Sequence, residues 1–283
     1  MHVQPQLRMG ALLSNMANLL AGGKQAALGS IGCFGFQVGQ GQTPIPLLLG
    51  NEHVLFADGA QAGDLLFQPG MQTRVGQLHF PEDQLVAIAE LTNLRFLGHY
   101  GYAYQGEAPK DYFIDIAAAR LLPDWAHAFV NAPPSQGRRP VKSPKMARIH
   151  PADVGLGGTY PVWKQGQASG RTEGVVLSAL AEVEGPDGEL RRNVIRIQAT
   201  GSNNSAFCSH GDSGAPLLNR KGDVVGILWG MDPKRPGIAY ASHIHPSLHA
   251  LGIVLAQPYH TLTPKGPSQA HNDTPSPFIS TRP

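Results

Sequence analysis

Cysteine is nearly absent from this sequence: Cys33 and Cys208 are the only two in 283 residues. They allow one bridge at most, which excludes a disulfide scaffold and leaves both as candidate free thiols. Charge is also scarce, with 22 basic against 20 acidic residues and a formal net charge of +2. That balance gives no footprint for nucleic acid or for an anionic membrane surface. No apolar run approaches the roughly 18 residues that suggest a membrane span. The apolar patch at Ala11–Ala21 is interrupted by Ser14, Asn15 and Asn18 and has no strongly basic leader, so it does not read as a secretory signal, and cytoplasmic residence is the default expectation. Metal-ligand clusters, phosphate-binding glycine loops and dinucleotide signatures are missing too, so no cofactor and no metal is implied.

Glycine and proline, by contrast, are abundant, at 34 and 24 residues. With few long helix-forming stretches, this composition favours many short strands joined by turns, an all-β fold. Residues 1–28 read as a leader separate from the core, in which Gly10–Leu28 has the makings of a short amphipathic helix. Residues 29–130 carry strand-length apolar pieces at Gly32–Val38, Ile45–Leu49, Asp64–Gln68, Gln72–Leu78, Leu85–Leu91 and Asp111–Ala119, with a helix also open over Gln84–Leu97. Residues 131–151 are proline-rich and basic, with Arg138, Arg139, Lys142, Lys145 and Arg148, and read as an exposed connector. Residues 152–256 repeat the strand pattern and close on a helical spacing over His245–Leu255. Residues 257–283 are polar and rich in Pro, Ser and Thr, the composition of a disordered tail.

The most informative string is His210-Gly211-Asp212-Ser213-Gly214-Ala215-Pro216-Leu217, with Gly226-Ile227-Leu228-Trp229-Gly230 downstream. A serine between near-neighbour glycines can occupy a tight turn, where backbone N–H groups approach a reacting carbonyl unobstructed. A bare Gly-x-Ser-Gly string is more often a polar turn, but here the flanks resemble the nucleophile region of trypsin- and chymotrypsin-like serine peptidases. A serine hydroxyl needs an imidazole base and a group that fixes its tautomer. Asn51-Glu52-His53-Val54-Leu55 follows an apolar strand and resembles the histidine motif of bacterial members of that family. Asp111-Tyr112-Phe113-Ile114-Asp115-Ile116-Ala117-Ala118 resembles the strand that carries the acid, with Asp115 in its place; Asp111 and Asp83 are the other candidates.

Val162-Trp163-Lys164-Gln165-Gly166-Gln167-Ala168-Ser169-Gly170-Arg171-Thr172-Glu173-Gly174-Val175-Val176 resembles the segment that opens the family's second barrel, departing from it at Gln167, Ala168 and Ser169. The resemblance runs from about Gly32 to Val254. It implies two six-stranded antiparallel β-barrels of chymotrypsin type with a C-terminal helix, and a serine endopeptidase acting on peptide or protein substrates. Ser213 is then the nucleophile, His53 the base and Asp115 its orienting acid, with the N–H groups of Gly211 and Ser213 as the oxyanion hole. Phe207 falls at the base of the primary pocket, Gly230 and Gly237 along its walls, and Trp229 and His210 beside it. A pocket without a carboxylate at its base speaks against a preference for Arg or Lys. Lacking the Ile-Val-Gly-Gly start of digestive members, the chain is expected to hold Asp212 with Lys164. A binding protein on the same fold and a self-processing regulator are the other functional classes, and no regulatory partner is identified.

Overall fold

The computed structural model describes residues 6–15, 27–37, 43–68, 73–74, 77–78, 86–132, 144–154, 159–185, 187–201 and 206–256. In chain order the strands are β1 (Leu7–Arg8), β2 (Leu12–Asn15), β3 (Ala27–Ser30), β4 (Cys33–Gln37), β5 (Ile45–Gly50), β6 (Leu65–Gln68), β7 (Thr73–Arg74), β8 (Gln77–Leu78), β9 (Val86–Tyr102), β10 (Lys110–Leu121) and β11 (Phe129–Val130). They continue with β12 (Tyr160–Gly166), β13 (Gly170–Glu184), β14 (Leu190–Ala199), β15 (Pro216–Asn219), β16 (Val224–Asp232), β17 (Arg235–His243) and β18 (Ile253–Leu255). Among the described residues two α-helices accompany them, α1 (Glu52–Leu55) and α2 (Ile244–Leu251).

The second half closes as a six-stranded barrel in the order β12-β13-β14-β17-β16-β15. The first half departs from the expected six strands: it is a curled eight-stranded sheet, β18-β4-β5-β10-β9-β6-β2-β3. The two extra places are taken by strands from outside residues 29–130. β2 pairs with β3 and β6, and β18 returns from beyond α2 to pair with β4 along Ile253–Leu255. The helix expected over Gly10–Leu28 is therefore absent at Leu12–Asn15, which is extended and buried throughout, and this part of the leader belongs to the core. Two backbone bonds, Gly10 N–H to Ile31 O and Ile31 N–H to Ala11 O, tie it in. Burial against a ready sheet edge overrides a weak local helical pattern.

β10 explains why the two halves meet where they do. Tyr112–Ala119 is buried on both faces. Alternation sends Ala117, Ala119 and Leu121 into the core of the first sheet, while Tyr112, Ile114, Ile116 and Ala118 enter a cluster shared with Leu218, Ile227, Ile244 and Leu248 of the second half. Asp115 lies between these faces, and its carboxylate reaches the N–H groups of α1. β9 is one 17-residue strand with alternating burial, not a helix over Gln84–Leu97; its partner β10 runs beside it from Ala89 to Tyr102. α2 ends at Leu251, earlier than the expected Leu255, because Gly252 takes a left-handed conformation (φ 64°) that stops it and releases β18.

Of the connector, residues 144–151 are tied to the second half, although Lys145, Met146 and His150 are exposed as expected. Ala147 N–H and Val224 N–H bond across to Val224 O and Lys145 O, and Ile149 is buried in the barrel core. Arg138, Arg139, Lys142 and the tail at 257–283 lie outside the described residues. Both cysteines are free and buried, which pushes each thiol up to about 12. No helix among the described residues is long and apolar enough to cross a membrane.

Candidate active site

α1 is a single turn that follows β5 and lifts His53 out of the sheet. Its placement comes from Asp115 on the neighbouring strand. One carboxylate oxygen accepts the backbone N–H groups of Glu52 (2.7 Å) and His53 (3.2 Å), and the other meets His53 Nδ1 at 2.5 Å. Asn51 closes the joint by donating its side-chain amide to Asp115 O at 2.8 Å. A carboxylate only 2% exposed is tolerated because three donors satisfy it. Burial draws the His53 imidazole pKa down, but the hydrogen bond and charge of Asp115 more than offset this and leave it above the ordinary histidine value. The bond through Nδ1 leaves Nε2 as the free ring nitrogen, on a side chain 41% exposed. Asp111 lies exposed near the start of β10. Asp83 is outside the described residues.

Ser213 belongs to a turn built by its neighbours. Gly211 has φ 97° and Gly214 φ 91°, and a Cβ at Gly214 would stand 2.3 Å from Ser30 O, so the close approach of this turn to β3 requires glycine. Beneath the turn Asp212 is fully buried. Its carboxylate takes the Lys164 ammonium at 2.7 Å, the Ser169 hydroxyl at 2.5 Å, and the backbone N–H groups of Ala168 (2.8 Å), Ser169 (3.2 Å) and Ser209 (3.0 Å). Lys164 is itself 0% exposed and also donates to Gly170 O and Ser169 Oγ. Burial pushes the Asp212 carboxyl up, yet these donors, Lys164 foremost, hold it below the ordinary carboxylate range. The departures at Ala168 and Ser169 thus supply contacts: two N–H groups and a hydroxyl for Asp212.

Ser30 is a residue that sequence reasoning passed over. Its N–H donates to Ser213 O (2.8 Å), its hydroxyl donates to Gly211 O (3.0 Å), and the same hydroxyl accepts Gln167 N–H (3.0 Å). One side chain of the first half thereby fixes the serine loop and the β12–β13 turn of the second.

His53, Asp115 and Ser213 open onto one cleft of about 1060 Å³, whose walls include His210, Trp229 and Gly230. Phe207 is displaced from its expected place at the pocket base: it is 0% exposed and packed in the second barrel's core with Val176, Ile197 and Ala215. Gly237 is not among the cleft-lining residues either, whereas Cys208 and Leu228 are. His243 is buried, with Nε2 donating to Ala179 O, and burial lowers its pKa to about 4, a structural histidine. Arg191 also lines the cleft, a position with no signature in the local sequence.

No family model and no curated protein matches the sequence. Solved structures do match the fold. A glutamic acid-specific serine protease that uses a histidine triad in substrate binding aligns with a TM-score of 0.52 at 15% identity, over 88% of this chain and 100% of its own. Protease A of Thermobifida fusca aligns with a TM-score of 0.50 at 15% identity, over 89% and 98%. The chain has the double-barrel fold of chymotrypsin-like serine proteases.

Proposed function

We propose that the chain is a serine endopeptidase with Ser213 as nucleophile, His53 as general base and Asp115 as its orienting acid. The observation that carries this reading is a buried carboxylate bonded to the imidazole Nδ1, in one cleft with a serine whose loop is already braced from below by a buried ion pair. Asp115 fixes the tautomer with the proton on Nδ1, leaving Nε2 unprotonated to take the Ser213 hydroxyl proton. The Ser213 oxygen then attacks the peptide carbonyl, and the negative charge that develops on the carbonyl oxygen is met by the N–H groups of Gly211 and Ser213. As the C–N bond breaks, the imidazolium returns its proton to the leaving amine, and the acyl-enzyme is released by a water that His53 deprotonates in turn.

The substrate chain has an edge to lie on. β15 pairs with β16 only as far as Pro216–Ile227, and Trp229, Gly230 and Met231 beyond it face the cleft. An extended peptide along that edge adds a strand, the usual economy of peptide recognition. Asp212 has its cation in Lys164, so a newly cut N-terminus is not needed to order the loop.

The test is labelling by a serine-directed fluorophosphonate together with hydrolysis of unfolded protein. Wild type is expected to label and cleave. Ser213→Ala and His53→Ala should each lose nearly all hydrolysis while keeping the fold, and the double variant should be little worse than either, because triad members act as a unit. Full hydrolysis by Ser213→Ala would remove the nucleophile assignment.

A further inference from the structure

Arg191 is set at the cleft with unusual care. It lies at the start of β14, and its guanidinium carbon rests 4.6 Å from the Phe113 ring centroid and 4.8 Å from that of Trp229. Gly185 also lies against it: a Cβ there would come within 2.5 Å of Arg191 Nε and 2.7 Å of Cζ, so a side chain at residue 185 would crowd the guanidinium out of its present position. Two rings and a glycine backbone fix its position before any ligand arrives.

The hydrogen bonding of this cation is incomplete. Its Nε–H is buried with no acceptor. Its ion-pair partner is Asp187, 3.1 Å from Nη2, whose side chain is 50% exposed; such a surface pair is a weak one. The other carboxylates on the cleft do not complete it. Asp115 is engaged by His53, Asp232 by Arg235 and the Tyr240 hydroxyl, and Glu184 stands exposed at the rim. The positive charge of Arg191 reaches the reacting centre, since it draws the His53 pKa down. Lys234 lines the same cleft and has no ion-pair partner among the described residues.

We infer that Arg191 is a specificity-determining residue that takes an acidic side chain of the substrate peptide lying along Trp229 and Gly230. The inference rests on the peptidase reading above. With Nη2 on Asp187 and Nε buried, Nη1 is the donor left for a substrate carboxylate, a charge-assisted bond, and a site that leaves it unpaired penalises a neutral or cationic side chain. Asn differs from Asp by little more than charge, so the comparison of the two isolates the effect.

Full-length protein would be given peptides identical except for Asp, Asn or Lys at successive positions around one cleavage site, with fluorophosphonate labelling run in parallel. At one position kcat/KM for Asp should exceed that for Asn by about tenfold to a hundredfold, the range expected of a hydrogen bond to a charged group. Lys there should be worse than Asn. Arg191→Met should reduce the Asp advantage to less than about twofold while still labelling, Arg191→Lys should keep part of it, and Arg191→Glu should favour Lys. Labelling with no position favouring Asp, or an Asp advantage unchanged in Arg191→Met, overturns the inference and leaves the peptidase reading standing. Absence of both labelling and cleavage in wild type strikes the peptidase reading itself.

Discussion

Lys164→Met tests the support beneath the serine turn. Both members of the Lys164–Asp212 pair are completely buried, and methionine preserves most of the stem while deleting the ammonium. Removing one partner of such a pair leaves an uncompensated buried charge, which costs about 3–5 kcal/mol. At about 1.4 kcal/mol per tenfold change, the folding constant should fall by two to three and a half orders of magnitude. Asp212 keeps Ser169 Oγ and three backbone N–H groups, which places the loss towards the lower end of that range. The pH dependence fixes the cause. In wild type the Asp212 pKa is depressed, so its stabilisation is present above the ordinary carboxylate pKa of about 3.9 and fades as pH falls through the lower folded value. In the variant burial is no longer opposed by the ammonium, the pKa rises, and protonation relieves the buried charge. The gap between the two proteins should therefore narrow between pH 7 and pH 4. Urea unfolding at both pH values measures it, and Lys164→Met/Asp212→Asn at pH 7 should recover part of the loss. A gap below about 1 kcal/mol, or one that widens on acidification, refutes the account, and an unchanged fluorophosphonate labelling rate would separate the pair from the serine turn.

The parts of the site that could be read from sequence are those whose determinants are local. His53 follows a strand and sits in a five-residue motif; Ser213 has its glycines on either side; Asp115 is an acid inside an apolar run, where only a buried donor set makes sense of it. Lys164 and Asp212 were paired through the segment in which each lies. The unread parts depend on residues brought together across the chain. Ser30 contacts Gly211 from 181 positions away, and nothing around Ala27–Ser30 advertises a hydroxyl aimed at another half of the molecule. Arg191 is one of several arginines in its region, and only the packing of Phe113, Trp229 and Gly185 around it marks it out. Spacing places Phe207 beside the serine loop but does not say whether its ring turns towards the cleft or into the barrel, where it lies buried. The eight-stranded first sheet was illegible for a similar reason. Four residues at Leu12–Asn15 and three at Ile253–Leu255 are too short to show a period, and they become strands by completing an edge.

Three further outcomes rest on the geometry of the site. Asp115→Asn should lower turnover by roughly 10⁴, the cost of favouring the wrong imidazole tautomer, while Asp111→Asn, near an exposed strand end, changes it by less than about tenfold; equal severe losses would move the acid to Asp111. Since Asp115 raises the His53 pKa, the acid limb of kcat/KM in wild type should have its midpoint above the ordinary histidine value of about 6.5, activity being lost as the imidazole protonates. Ser30→Ala probes the contact between the halves. The hydroxyl it removes serves Gly211 O and Gln167 N–H together, so the substitution orphans an acceptor on the oxyanion loop and a donor on the turn that covers Asp212. Each orphaned group costs about 1–3 kcal/mol when buried, though Ser30 N–H still holds Ser213 O and keeps the loop near its place. The Gly211–Asp212 peptide is then held only by the bond of Asp212 N–H to Ser209 O, and the adjoining His210–Gly211 peptide, whose N–H is aimed at the developing oxyanion, is held less firmly. A misdirected donor weakens the transition state more than the ground state, so the acylation rate should fall by about tenfold to a hundredfold, less than the 10²–10³ of losing an oxyanion donor outright. Fluorophosphonate labelling rates and urea unfolding of the same samples separate the effects. Lower stability with an unchanged labelling rate would make Ser30 a structural clamp with no part in positioning the loop.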